Sequence, residues 1–314
     1  MPTPPLTRAE RRRRVSARRR VAAALLAVVI VAALTAGVIG FVRSLADDPR
    51  AEDSSSRAAA LSTTATAVAS PPTFDVAAAA DEAMTVLADY SDAARGVEDA
   101  LYAAAETLRT ATTTEAADAA LAATQQATAA VRADAEAFRA SIAEASAATN
   151  TQPTAGDVAA QMAYLHRYVY SYSTAAWGDY NDFGGDCTNY ASQGLIARGW
   201  QMDDIWYSGG EMWTASEAWI GTVQMSEYFD SLGLTYSAEA DLDRVRVGDI
   251  GLFSWGELDT TMDHSMTVSK VEYVPGGAPK VYFISHNEDG EYRELTTVLH
   301  VEHTDSEVWI YHIP

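Results

Sequence analysis

The hydrophobic period changes once along this chain, and that change restricts the fold more than any other feature. Up to about Leu232 the apolar residues recur at steps of three and four, the spacing of helices with one buried face. Past Asp243 they fall into short runs with period two, bounded by turn residues such as Pro275-Gly276-Gly277. Those runs are Val245 to Trp255, His264 to Tyr273, Val281 to Ser285 and Val308 to Ile313. Helices first and strands afterwards, with short turns between the strands, predict an α+β domain in which a helical layer covers an antiparallel sheet.

The helical part divides in two. Over 75–149, Leu87, Tyr90, Ala94, Val97, Leu101, Ala104 and Leu108 make one stripe, and Ala117, Leu121, Thr124, Thr128, Val131, Ala135, Phe138 and Ile142 make another. Ala111 to Glu115 interrupts the register, with Thr112 and Glu115 in capping-box spacing. The expectation is a two-helix antiparallel hairpin or coiled coil, Ala-rich along its seam, serving as a stalk, as a docking or dimerising surface for a partner helix, or as a plain spacer. A linker at 150–156 precedes a domain of about 160 residues that holds all seven tryptophans. Its helices are expected at Val158 to Ala176, from Cys187 to a stop at Gly199, and around Ala215 to Leu232. The Gly-containing loop between the last two is expected to expose Trp206 and Trp213.

At the other end, Arg8, Arg11 to Arg14 and Arg18 to Arg20 precede an uncharged apolar run, Val21 to Val42, whose 22 residues would span about 33 Å as a helix. Arginines before the run and acids after it (Asp47, Asp48, Glu52, Asp53) place residues 1–20 inside as a basic cytoplasmic tail. The remainder lies outside. The run is longer than the apolar core of a cleaved signal, about 7–15 residues, so 21–42 is read as a transmembrane signal anchor. Secretion after cleavage at Ser44-Leu45-Ala46 is the alternative. Residues 43–74, rich in Ser, Thr and Ala, read as a flexible linker. Net charge is −21 over the whole chain and −28 once the N-terminal 20 residues are set aside. So acidic a body excludes a nucleic-acid groove and directs attention to neutral or cationic partners.

Chemistry concentrates at Cys187, the single cysteine of the chain, in Phe183-Gly184-Gly185-Asp186-Cys187-Thr188-Asn189. A thiol in the first turn of a helix sits beside unpaired N–H groups and the positive end of the dipole, which favour thiolate. Asp186 is a natural N-cap for Thr188 or Asn189, although its charge opposes ionisation next door, so the thiolate needs an imidazolium partner. His264 is the best-placed base: it starts a strand and shares a face with Met266 and Val268, the face expected to meet the helical layer. To orient His264, the sequence offers His286 or Asn287 at the end of the next strand, and strand parity does not choose between them. His166, His300, His303 and His312 read as ordinary residues. His300 and His303, three apart in a β context with no third ligand, do not make a zinc site. No metal and no cofactor is expected.

The run Asp186 to Gln193, with Trp177, Tyr180, Trp200, Ala215 to Trp219, Val247 to Ile250 and Asp263 to Met266, resembles the bacterial putative amidase domain family. That family is similar to the papain-like NlpC/P60 and CHAP cysteine hydrolases, and the resemblance covers about residues 157–314. It implies a papain-like catalytic domain with Cys187 as nucleophile and His264 as general base, His286 standing where a polar third member is common. Tyr190 and Ala191 replace a phenylalanine and a larger aliphatic. The chemistry implied is acyl transfer through a thioester, the oxyanion held by the Cys187 N–H and a second donor for which Tyr180 and Asn181 are candidates. Export on an anchor then points to peptide amides of cell-wall peptidoglycan as substrate. A non-catalytic binding or scaffold module and an acyltransferase are the competing readings.

Overall fold

The computed structural model describes residues 69–256 and 262–314, and these form one compact unit. The predicted anchor at 21–42 lies outside the described residues, as do the N-terminal tail and most of the linker. Among the described residues no helix is long and apolar enough to cross a membrane.

The helical region has three helices where two were expected: α1 (Val76–Asp89), α2 (Arg95–Arg109) and α3 (Thr114–Ser146). Their shared core is small, with Val86, Leu87, Leu101, Val131 and Ala135 in one cluster and Ala80, Ala105, Leu108 and Ala120 in another. The extra break at Tyr90–Ala94 has an electrostatic cause. Asp92 is fully buried there, with both carboxylate oxygens 2.7 Å from the Arg139 guanidinium. The Ala94 N–H donates to Asp134 at 2.6 Å. A buried carboxylate persists only when it is paired, so the chain leaves the helix to reach those partners. The cap of α3 is also shifted by one: Thr113, not Thr112, accepts from the Ala116 N–H.

Nor does this region stand free as a stalk. Arg244 reaches Asp134 at 2.6 Å and the Asp92 carbonyl at 2.9 Å. The Tyr273 hydroxyl donates to Asp99 at 2.7 Å, and the Arg95 guanidinium lies over the Tyr273 ring. The break thus docks on the segment before the second strand, and α2 docks on the end of the third.

The domain beyond it opens with α4 (Val158–Tyr168) and the short α5 (Thr174–Trp177), which replace the single helix expected up to Ala176. Then come α6 (Cys187–Arg198), α7 (Glu217–Ile220) and α8 (Thr222–Ser231). Six antiparallel strands follow: β1 (Tyr236–Ser237), β2 (Ile250–Ser254), β3 (His264–Glu272), β4 (Lys280–Ser285), β5 (Gly290–Glu294) and β6 (Glu307–Tyr311). They are ordered β1-β6-β2-β3-β4-β5. The stretch Val245 to Asp249 turns instead of extending: Gly248 has φ +91°, and the Asp249 carboxylate accepts from the N–H groups of Arg246 and Ile313. Ile250 and Leu252 pack with Leu195, Trp200, Trp219 and Phe229 of the helical layer. Phe253, Met266, Val268 and Phe283 pack on the opposite side with Leu295 and Val298. Trp206 is fully buried in the first cluster, its indole N–H donating to Ser192, whereas Trp213 is 69 % exposed. Of the two tryptophans expected at the surface, only Trp213 is there.

Candidate active site

The site lies where the start of α6 meets the start of β3. Two consecutive glycines, Gly184 and Gly185, have φ near +110° and bend the chain into α6. At Gly185 the bend leaves no room for a side chain, because a Cβ would come within 2.9 Å of Asn287 Oδ1. Asp186 follows at the N-cap position, yet its carboxylate caps nothing. It accepts from Asn189 Nδ2 at 2.9 Å and from the Tyr180 N–H at 3.3 Å, and it lies 2.7 Å from His286 Nδ1. The first-turn N–H groups of α6 beside Cys187 therefore have no side-chain cap from Asp186.

Cys187 is 6 % exposed, and its surroundings are polar. Thr188 Oγ1 lies 3.7 Å from the sulfur and belongs to a line of hydroxyls, 3.0 Å from Thr222 and 3.2 Å from Ser265. Burial by itself raises the thiol. The His264 imidazole foremost, then the Ser265 backbone and Thr188, more than reverse this and bring it down to about 6. Sulfur and imidazole, 77 positions apart in the chain, are thus coupled electrostatically across the helix–sheet junction.

The route by which His264 arrives differs from the expectation. Met266 and Val268 face away from α6, while Ser265 faces it through Thr188. His264 stands at the first position of β3, paired with Phe253 of β2, and its buried ring stacks on Trp255.

Neither residue proposed to orient His264 does so. His286 is fully buried, with Nδ1 on Asp186 and Nε2 3.0 Å from the Tyr168 carbonyl. Asn287 accepts from the Asp186 N–H and donates to Asn181 Oδ1. Both side chains grip the residue before the nucleophile, and His264 Nε2 is buried with no hydrogen-bond partner among the described residues. The main-chain N–H groups of Tyr180 and Asn181 are committed elsewhere, the first to Asp186 and the second to Asp179 at 3.1 Å, while the Tyr180 hydroxyl is buried with no hydrogen-bond partner among the described residues.

The other histidines are satisfied locally. His312 lies between Asp249 and Ser237, and His300 pairs with Glu239. His303 comes together with Glu288 and Glu302 in a geometry of metal-ligand reach, but the Arg293 guanidinium already bridges both carboxylates. A cation is thus present there without any metal.

This geometry sits in a segment that comparison with known proteins places. Residues 156–311 match the family described as Putative amidase domain, a description that indicates amide hydrolysis. No curated protein and no solved structure matches the chain.

Proposed function

We propose that the protein is a cysteine-dependent amidase or peptidase that cleaves amide bonds through a thioester. The observation that carries this reading is the electrostatic coupling of Cys187 to His264, which brings a buried thiol down to about 6, where thiolate dominates at neutral pH. The thiolate attacks the amide carbonyl, forming the S–C bond, while the oxygen takes the developing charge beside the first-turn N–H groups of α6. His264 protonates the departing amine, and water, activated by the same ring, then releases the acid and restores the thiol. The resemblance to papain-like hydrolases supports these roles.

The substrate reading rests on the sequence. An anchor at 21–42 with arginines inside puts the domain outside the membrane, where peptide amides of peptidoglycan are the abundant target. The acidic body suits neutral or amine-bearing peptides.

Incubating the full chain with purified wall and measuring released amines tests the reading. Cys187→Ala is expected to abolish release. Equal release by this variant would overturn the enzyme and leave a scaffold, and products extended by an added amine would mark an acyltransferase.

A further inference from the structure

Asp186 adjoins the nucleophile covalently, and a bare buried carboxylate at that place would oppose the thiolate. Its surroundings provide an answer. The ring of His286 lies between Tyr190, centroids 3.6 Å apart and 9° from parallel, and Tyr172, 3.5 Å and 28°. Its Nε2 faces the Tyr168 carbonyl at 3.0 Å, and a carbonyl only accepts, so Nε2 carries a hydrogen. Its Nδ1 lies 2.7 Å from Asp186 Oδ2, a separation that requires a second proton on that line. Ring and carboxyl together therefore hold one proton more than a neutral imidazole and a carboxylate, and the pair is uncharged overall. Two aromatic faces against the ring favour its positive character.

We propose that His286 is a positioning residue for Cys187: it cancels the charge of Asp186 and, with Asn287, holds the turn that presents the sulfur to His264. The inference rests on the cysteine-amidase reading and adds a second histidine acting through Asp186. The groups around this unit are few. The His264 imidazole acts on Cys187 from β3, and Asp289 accepts from the Tyr172 hydroxyl at 2.6 Å. Glu291 and Tyr164 lie beyond Tyr190. None of these is hydrogen-bonded to Asp186.

Alkylation of Cys187 by iodoacetamide across pH, on the folded full chain, tests it without a substrate. The wild type is expected to react with a midpoint near 6. His286→Gln, which supplies no proton to Asp186, slows alkylation at pH 6.5 about threefold, the effect of a one-unit rise from a midpoint near 6. Adding Asp186→Asn to that variant restores the rate, a rescue that a merely structural loss would not allow. Asp186→Asn alone keeps the ring and its stacking, and holds the midpoint at or below the wild-type value. A low wild-type midpoint that His286→Gln leaves unmoved, or that Asp186→Asn raises, overturns the role of His286 and spares the amidase. A wild-type midpoint at the free-cysteine value of about 8.5 overturns the activated thiolate itself, and this inference with it.

Discussion

The indole of Trp255 stacks on the imidazole of His264, with ring centroids 5.5 Å apart and planes 30° from parallel. The same indole stacks on His303 at 3.8 Å and 11°. The tilt of the proposed base thus follows from aromatic packing at the end of β2. Trp255→Ala is expected to lower kcat by about 10- to 100-fold with little change in KM, because a base misplaced by about 1 Å costs that much. Trp255→Phe keeps a ring there and most of the rate. Steady-state kinetics on a peptide amide decide it, and an unchanged kcat for the alanine variant would show that the ring is held by something else.

Burial raises the Cys187 thiol, and His264 is the strongest of the groups that bring it down to about 6. Without the imidazole, burial prevails. His264→Ala should therefore carry the midpoint of thiol ionisation above the free value of about 8.5, as followed by thiolate absorbance against pH. Thr188→Val should move it in the same direction by less. A midpoint still near 6 in the His264 variant would mean that another group holds the thiolate.

Glu98 in α2 is buried, which pushes its carboxyl up to about 8 against the opposing pull of Arg95. The folded protein keeps this proton to about pH 8, whereas the unfolded chain releases it near 4.5. Between those values the folded state binds more protons, so stability falls as pH rises through the window and levels off above it. Urea unfolding of the wild type against Glu98→Gln from pH 5 to 9 should show this slope in the first and not in the second. Identical slopes would place the carboxyl in solvent.

Arg198, at the end of α6, donates to the carbonyls of Ile313 and Pro314 at 2.7 and 3.0 Å and to Gln161 Oε1 at 2.8 Å. It is 2 % exposed. Arg198→Met leaves those acceptors buried without a donor and should cost about 3 kcal/mol of unfolding free energy. Arg198→Lys cannot serve three acceptors from one point and should also destabilise, by about 2 kcal/mol. Loss of less than 1 kcal/mol in both would show that the carbonyls find other partners.

What could be read from the sequence was what depends on local pattern. The α+β order, the start of α6 at Cys187 and its end at Gly199 follow from period, turn chemistry and capping. Partners distant in the chain were hidden. The break between α1 and α2 depends on Asp92 meeting Arg139, and β5, with its polar Gly290 to Glu294, exists because β4 offers it an edge. Parity failed at His286 and Asn287 for a backbone reason. Asn287 and Glu288 have φ of +54° and +71°, so the alternation of β4 ends there and both side chains reach Asp186. Asp186 itself was read as a cap because its position suits one; nothing local announces that a histidine 100 residues away takes the carboxylate instead.

The solitary sulfur also decides how the protein meets oxidants. A sulfenic acid formed on Cys187 has no resolving thiol anywhere in this chain, so it cannot be parked as an internal disulfide. Small peroxides would drive it on to the irreversible acids, and recovery of activity after a mild oxidative pulse would depend wholly on reductant supplied from outside.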